Sequence, residues 1–231
     1  MFRQLLSGLT RRLPSQCAVC HAWPSHPLCE ACVSQFAQPV SRCQTCAMPL
    51  PEGLRQCGAC AADPPPLDLA LAAVHYAFPW SNLMVDFKFN QHTGWATSMA
   101  TLMRSAPWIE PAMDAADLLI PMPLSRERLA TRGFNQALVL ARALESSKVL
   151  SGVLLRIRDT PPQSTLPRKD RLLSVRNAFA VDPLQANRLK GRRVVLLDDV
   201  MTSGASLHAA ARAVRHAGAA HITALVFART Q

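Results

Sequence analysis

Apolar and polar positions alternate between strand-like and helix-like periods along the chain after residue 66. Apolar runs of strand length are separated by segments in which apolar residues recur every three to four positions. The predicted strands are Leu69–Phe78, Asp117–Pro121, Val153–Ile157, Val194–Leu197 and Ile222–Phe227. The predicted helices are Trp80–Phe89, Trp95–Arg104, Phe134–Leu144 and Ser206–Ala217. This alternation predicts an α/β fold with an open, mostly parallel sheet and flanking helices.

The first 66 residues show different patterns. Large apolar residues in the first fourteen positions share one face of a helix, which predicts an amphipathic helix in residues 1–16. All eight cysteines follow between Cys17 and Cys60, and Pro64-Pro65-Pro66 marks a boundary after them. We therefore expect three parts: an amphipathic helix at 1–16, a cysteine-rich domain at 17–63 and an α/β domain at 67–231.

The amphipathic helix has several interpretations. It lacks the continuous apolar stretch of a secretory signal. An organellar transit peptide and a membrane-surface helix remain alternatives, but packing against the rest of the protein is the usual role of such a helix. No stretch of about 18 uncharged apolar residues occurs, so stable membrane insertion is not expected. We expect a cytoplasmic protein.

The cysteines form four CxxC pairs. A CxxC turn places two thiolates on one side of a tight loop, as a tetrahedral Zn²⁺ requires, so four turns predict two structural zinc sites. A disulfide framework is disfavoured in a reducing cytosol, and iron–sulfur ligation uses different spacings. The expected ligands are Cys17, Cys20, Cys29, Cys32, Cys43, Cys46, Cys57 and Cys60.

The pairing of these turns is less constrained by the sequence. Sequential pairing closes shorter loops than a cross-brace that joins Cys17/Cys20 with Cys43/Cys46, so we prefer it, although loop entropy grows slowly with length. If the cysteine-rich part folds separately, replacing Cys57 by Ser should destabilise the N-terminal region and leave ligand binding by the α/β domain largely intact.

The composition adds a strong positive charge. The formal net charge is +10, and six basic residues against two acids lie between Arg156 and Arg176. Such a stretch is either a solvated face or a contact for a polyanion such as diphosphate, nucleic acid or a membrane. No aromatic residue is interleaved within it, which favours phosphate contact over base stacking.

The segment Arg193–Leu207, RVVLLDDVMTSGASL, indicates the chemistry. An apolar strand is followed by Asp198-Asp199, then by a loop of small residues, then by a helix, and ligands bind at the carboxyl ends of parallel strands. Backbone N–H groups of the loop and the helix N-terminus form an anion cradle, and Gly204 allows close backbone approach. The two carboxylates suit vicinal hydroxyls, so the segment predicts a site for a ribose 5-phosphate.

This segment resembles the signature of type I phosphoribosyltransferases, which bind 5-phosphoribosyl-1-diphosphate (PRPP). The absence of a Gly-Lys-Ser/Thr sequence and of GxGxxG excludes a Walker loop and a dinucleotide fingerprint. Further segments resemble the ComF family: an R-G-F-N-Q core after a P-x-P turn within Ile120–Leu144, a T-x-x-Q-S…R…N-x-x-x-A-F segment within Thr160–Phe179, the K-F pair of Phe87–Phe89, and the double zinc ribbon.

The resemblance implies a type I phosphoribosyltransferase fold and roles for particular residues. Asp198 and Asp199 would hold the ribose hydroxyls and are the catalytic candidates. The PRPP 5-phosphate would lie on Thr202, Ser203, Gly204, Ala205 and Ser206. The diphosphate, bound with Mg²⁺, has as candidates the turn Pro121, Met122, Pro123 and Leu124 and the cations Arg132, Lys169 and Arg171.

Two functions follow as hypotheses. The protein would transfer phosphoribosyl from PRPP to an unidentified nitrogen acceptor with release of diphosphate. Alternatively, it would be a non-catalytic module that binds PRPP or a nucleotide and single-stranded DNA. The family resemblance implies a role in DNA uptake during natural transformation, with a helicase-like competence partner.

Overall fold

The computed structural model of the chain describes residues 15–158 and 177–231. The chain forms two compact units, Met1–Gln38 and Pro39–Gln231. The first unit holds the cysteines from Cys17 to Cys32, and the second holds those from Cys43 to Cys60 together with the sheet. The sequence alone grouped all eight cysteines in one domain ending at residue 63, and that grouping stays a prediction.

The first unit is built around two cysteine turns. Ser15 and Ser25 form an antiparallel bridge that closes the hairpin carrying the first turn. The helix Glu30–Phe36 (α1) begins directly after Cys29, whose sulfur accepts a hydrogen bond from the Cys32 N–H at 3.4 Å. A cysteine therefore acts as the N-cap of this helix and holds the second turn.

The second unit contains a four-stranded parallel sheet, as predicted. The sheet strands are Leu69–His75 (β1), Leu118–Pro121 (β2), Arg193–Met201 (β5) and His221–Arg229 (β6). Most residues of the sheet strands are buried, which explains their continuous apolar runs. The order across the sheet is β1-β6-β5-β2. Leu154–Arg156 (β3) pairs separately with Phe179–Val181 (β4) in an antiparallel ribbon.

Helices flank this sheet. The helix Gln136–Glu145 contacts β2, β5 and the helix Trp95–Ser105, and Ala205–His216 contacts β4, β5 and β6. In chain order the helices are Gly58–Ala62 (α2), Trp80–Phe89 (α3), Trp95–Ser105 (α4), Ile109–Asp114 (α5), Arg126–Arg132 (α6), Gln136–Glu145 (α7) and Ala205–His216 (α8), with short 3₁₀ turns at Ser146–Lys148 and Ala186–Leu189. The four helices predicted from apolar periodicity are confirmed as α3, α4, α7 and α8.

The predicted end of the central strand is wrong. The sequence placed it at Leu197, before the acids, whereas β5 continues to Met201. The reason is its position between two partners: the parallel ladder with β6 continues past the acids, pairing Asp198 with Val226 and Met201 with Arg229. Asp198 and Asp199 therefore lie within the last residues of a strand instead of in the following loop.

The second group of cysteines packs on the sheet. Cys43, Cys46 and Cys60 belong to the same buried cluster as residues of β1, β5, β6 and α8. The Ala70 N–H of β1 donates to the carbonyl of Gln44 at 2.6 Å. This cysteine region is thus part of the core of the second unit. Across the two described stretches, every helix is too short or too polar to span a bilayer.

Candidate functional site

The acid pair lies at the carboxyl end of β5. The Asp199 N–H donates to the Asp198 carboxylate at 2.9 Å, and Asp199 is 8% exposed. Burial, followed by the charge of Asp199, raises the pKa of Asp198 to about 7, against the opposing effects of the Asp199 N–H and the Lys88 charge. Near neutral pH, Asp198 can therefore both accept and release a proton.

A lysine on a helix neutralises part of the negative charge of the acid pair. Lys88 Nζ lies 3.0 Å from Asp199 Oδ2, and both side chains are largely buried. Lys88 stands near the end of α3, the helix that follows β1. In the sequence, Lys88 was noted only as part of the K-F pair that resembles the ComF family. Nothing in the sequence indicated that α3 reaches the acid pair, because that contact arises only from tertiary packing.

Arg132 was predicted as a cation of the site, and the structure places it near the acids. Its guanidinium lies 5.0 Å from the centre of the Phe89 ring, a cation–π arrangement. Burial lowers the pKa of Arg132, while the charges of Asp199 and Asp198 act in the opposite direction. The acid pair therefore interacts electrostatically with both Lys88 and Arg132.

The P-x-P turn lies beside the acid pair in the sheet. Pro121 ends β2 in register with Leu197 of β5, and the Met122 N–H donates to the Leu197 carbonyl at 2.8 Å. Asn135 caps α7 by accepting from the Leu138 N–H at 3.2 Å, and its amide nitrogen donates to the Met122 carbonyl at 3.0 Å. Asn135 thus holds the segment Pro121, Met122, Pro123 and Leu124 at the same edge of the sheet as the acids.

The predicted phosphate loop connects β5 to α8. Gly204 has φ +79° and is the N-cap of α8, whose first residue is Ala205. The positive φ favours glycine, and a Cβ at position 204 would lie 2.6 Å from Met201 Cε and 2.9 Å from His208 Nε2, so the ends of these side chains would have to move. Ser203 Oγ accepts from the Ala205 N–H at 3.4 Å. The loop thus stands directly beyond the acids with the positive end of α8 behind it.

Most of the predicted site residues therefore lie at one edge of the sheet. Asp198 and Asp199 lie in the last residues of β5, the loop Thr202–Ser206 follows that strand, and the P-x-P turn begins at the end of the adjacent strand β2. The charges of both acids act on Arg132. Lys169 and Arg171 lie outside the described residues. The arrangement places in one region carboxylates that can accept hydrogen bonds from hydroxyl groups, N–H groups that can donate to an anion, and basic side chains.

The eight cysteines form two groups, which confirms sequential pairing. In each group the four sulfur atoms lie within 4.8 Å of one another. Individual separations are 3.6 Å for Cys20–Cys29 and 3.8 Å for Cys46–Cys57. The groups are Cys17, Cys20, Cys29 and Cys32, and Cys43, Cys46, Cys57 and Cys60.

The surroundings of both groups fit a bound cation. The N–H of Cys29 donates to Cys17 Sγ at 3.5 Å, and the N–H of Cys57 donates to Cys43 Sγ at 3.4 Å. Burial acts to raise the thiol pKa, but backbone N–H donors outweigh it and lower the pKa of Cys17 and Cys43 to about 6. Burial raises the pKa of Cys32, Cys46 and Cys60. Four thiolates so close together need a positive charge among them, and Zn²⁺ matches this set of donors.

The fold and the site match a known class of domain. Residues 129–231 match the family model described as "Phosphoribosyl transferase domain". That range includes β5, β6, the acid pair, the phosphate loop and Arg132. The second unit therefore contains a phosphoribosyltransferase domain.

Similar proteins extend the match to nearly the whole chain. Competence protein F of Haemophilus influenzae is 30% identical over 210 residues, which cover 87% of this chain and 90% of that protein. DNA utilization protein YhgH of Salmonella typhimurium is 28% identical over 228 residues, 94% of this chain and 98% of that protein. Competence protein ComFC of Bacillus subtilis is 38% identical over 103 residues, 45% of this chain and 40% of that protein. The chain belongs to the ComF family.

Proposed function

We propose that the chain binds PRPP at the carboxyl ends of β5 and β2. The observation that carries the proposal is the convergence of the acid pair, the phosphate loop and the P-x-P turn at one edge of the sheet. The 5-phosphate would accept hydrogen bonds from the N–H groups of Thr202–Ser206, next to the N-terminus of α8. The ribose hydroxyls would donate to Asp198 and Asp199, and the diphosphate would lie toward Pro121–Leu124.

The cations of the site suit the leaving group. Lys88 contacts Asp199, and the charges of both acids act on Arg132, so a diphosphate bound beside the acids would draw both cations toward itself. Mg²⁺ bound with PRPP would add positive charge on the diphosphate oxygens, and the carboxylates of Asp198 and Asp199 are the hard oxygen donors that such an ion prefers. The ion pair with Lys88 holds Asp199 in place.

We propose phosphoribosyl transfer as the reaction. The bond between C1′ and the diphosphate oxygen breaks, and its electron pair leaves with the diphosphate. A bond forms from the nitrogen of the acceptor to C1′, and the proton released by that nitrogen goes to a base. Asp198 suits this base because its pKa, raised by burial and by Asp199, is about 7.

Calorimetry with PRPP and Mg²⁺ tests the site. Replacing Asp198 and Asp199 by Asn keeps the side-chain volume and removes the negative charge on the oxygens that accept hydrogen bonds from the ribose hydroxyls. Hydrogen bonds to charged groups contribute about 1.5–3 kcal/mol, so the PRPP affinity should fall about ten- to a hundredfold per residue. Arg192→Gln, an exposed substitution at the opposite end of β5, is the control. An unchanged affinity in the folded double variant would refute the site.

A binding module without turnover is the second candidate, and the same site serves it. Diphosphate release from PRPP, measured against a panel of nitrogenous bases, distinguishes the two. Release that depends on one base supports the transferase, whereas tight PRPP binding without release supports the binding module.

The names of the relatives point to a biological role. Two are called competence proteins and one a DNA utilization protein. We propose that this chain takes part in DNA uptake in the cytoplasm, with single-stranded DNA and a helicase-like protein as partners. The cysteines lie in two groups of four instead of in disulfide pairs, which suits a reducing compartment. The two Cys₄ groups would hold two structural zinc ions, and metal analysis of the purified chain should find about two zinc per molecule.

A further inference from the structure

Arg229 joins two parts of the second unit that are far apart in sequence. It ends β6 and is only 4% exposed. Its Nε–H donates to the Cys46 carbonyl at 2.9 Å, and its Nη1 donates to the carbonyls of Met201 at 3.1 Å and Thr202 at 2.5 Å. One guanidinium therefore binds backbone oxygens in both regions. The sequence gave no sign of this, because an arginine at the end of an apolar strand is usually exposed.

The two regions joined by Arg229 are a cysteine turn and the start of the phosphate loop. Cys46 belongs to the second cysteine group, hereafter the Cys43–Cys60 cluster. Met201 is the last residue of β5, and Thr202 is the first of the loop that we assign to the 5-phosphate. The side chain of Arg229 therefore connects the position of the cysteine turn to the start of the loop by direct hydrogen bonds.

The chemistry of Arg229 makes this link sensitive to geometry. A buried guanidinium is stable only while its donors are matched by acceptors. Here the acceptors come from both regions and from the adjacent Thr230, whose carbonyl lies 2.6 Å from Nη1. A second arginine holds the same turn, since Arg42 Nη1 donates to the Ala47 carbonyl at 3.0 Å. Loss of the metal would free the turn, and the carbonyl of Cys46 would no longer be fixed for Arg229.

A cavity lies between the two regions. It has a volume of about 840 Å³, and its lining includes Cys46, Cys57, Thr202, Ser203 and Arg229. The cluster and the loop thus line one space, and Arg229 is part of the same lining.

We propose that Arg229 is a positioning residue that couples the phosphate loop to the metal-bound state of the Cys43–Cys60 cluster. The proposal rests on PRPP binding at that loop. Because coupling between two binding equilibria is reciprocal, PRPP strengthens metal binding at the cluster by the factor by which the metal strengthens PRPP binding. The zinc site of this unit therefore supports ligand binding as well as the fold.

The test uses the full chain with Cys17→Ser and Cys20→Ser, so that metal release reports on the Cys43–Cys60 cluster alone. Zinc transfer to a chromophoric chelator is followed with and without PRPP and Mg²⁺, and PRPP affinity is measured by calorimetry. Arg229→Met is compared with Arg215→Met, since Arg215 also donates to backbone carbonyls, those of Ala219 and Ala220, but far from the loop.

We expect PRPP to slow zinc release from the parent chain. Arg229→Met should release zinc faster than the parent without PRPP, bind PRPP at least about tenfold more weakly and lose the protection by PRPP, whereas Arg215→Met should keep both properties. Arg229→Lys retains the charge but reaches fewer carbonyls, so it should be intermediate. If Arg229→Met does not fold, the Lys variant and the protection of the parent chain by PRPP decide the outcome.

The possible failures are distinguishable. Absence of PRPP binding in the unmodified chain would refute the proposed function, and the release rate without PRPP would still test the link. Equal zinc release from the parent and from the folded Arg229 variants would refute the link itself. PRPP binding that leaves zinc release unchanged in the parent chain would refute the coupling while leaving the proposed function intact.

Discussion

At the scale of single residues, the carboxyl of Asp198 is held in surroundings that oppose its charge. Burial and the neighbouring Asp199 raise its pKa to about 7. The folded protein therefore binds this proton more tightly than the unfolded chain does. The contribution of Asp198 to stability is present at low pH and is lost as the pH rises from the ordinary carboxyl range through about 7. Surroundings that disfavour the charged form of a carboxyl in this way are typical of residues that bind a ligand or take part in catalysis.

The PRPP affinity should accordingly rise between about pH 6 and about pH 8, because only ionised Asp198 accepts hydrogen bonds from both ribose hydroxyls. Asp198→Asn should show a flatter profile, since the phosphates of PRPP titrate alike in both experiments. Calorimetry at constant free Mg²⁺ measures this. Parallel profiles for the two proteins would contradict a titrating role for Asp198.

Gly204 allows a second prediction at the residue scale. Gly204→Ala should lower the free energy of unfolding by about 1–2 kcal/mol through its positive φ and should weaken PRPP binding more than tenfold, because the new Cβ meets Met201 and His208. Gly191→Ala is the matched control: its φ is +69°, and no atom lies within 4 Å of the new Cβ. Chemical denaturation and calorimetry measure the two effects. Equal PRPP affinity in both variants would contradict the close packing assigned to the loop.

At the scale of elements, the sequence predicted what depends on local pattern. The strands of the sheet and the helices α3, α4, α7 and α8 have apolar residues at regular spacing, because each buries one face or both. The helix Arg126–Arg132 has no buried residue, so it left no such signal. The extension of β5 through the acids and the contact of Lys88 with Asp199 depend on neighbouring elements, which the local sequence does not encode.

The two cysteine groups should respond differently to equivalent substitutions. Cys29 and Cys57 are both N-caps of short helices, but Cys57 belongs to the unit that contains the sheet. Cys57→Ser should lower the melting temperature of the phosphoribosyltransferase domain and weaken PRPP binding, whereas Cys29→Ser should leave both nearly unchanged. This reverses the expectation from sequence, which treated the cysteine-rich part as separate from the α/β domain.

Metal analysis, thermal unfolding and calorimetry on the two variants provide the measurement. Each substitution should reduce the zinc content from about two to about one per chain, so the comparison is made at equal metal loss. PRPP binding that survives Cys57→Ser undiminished would show that the second cluster is independent of the site.

At the scale of the whole molecule, the net charge of +10 favours a polyanionic partner. Part of this charge lies in the basic stretch between Arg156 and Arg176, most of which is outside the described residues. The groups proposed to bind ribose and phosphate lie in the sheet and the loop Thr202–Ser206, whereas the proposed DNA contacts lie in the basic stretch.

Binding of single-stranded DNA should weaken steeply with salt, with a log–log slope of roughly one unit per phosphate neutralised. Lys169→Gln with Arg171→Gln should flatten that slope, whereas Arg188→Gln with Lys190→Gln removes equal charge from an exposed surface and should change it less. Fluorescence anisotropy over a range of salt concentrations measures the slope. Equal slopes for the two double variants would show that the basic stretch has no special part in DNA binding.

The hydrogen bond from Ala70 to the carbonyl of Gln44 has a consequence for association between molecules. β1 is an outer strand of the sheet, and the exposed edge of such a strand is a template for pairing with another chain. The segment beside the second cysteine group covers this edge, together with Trp108, whose indole N–H donates to the Ala72 carbonyl at 3.2 Å. If the second cysteine group holds zinc as proposed, loss of the metal would uncover this edge, and zinc binding would protect the protein against aggregation by strand addition.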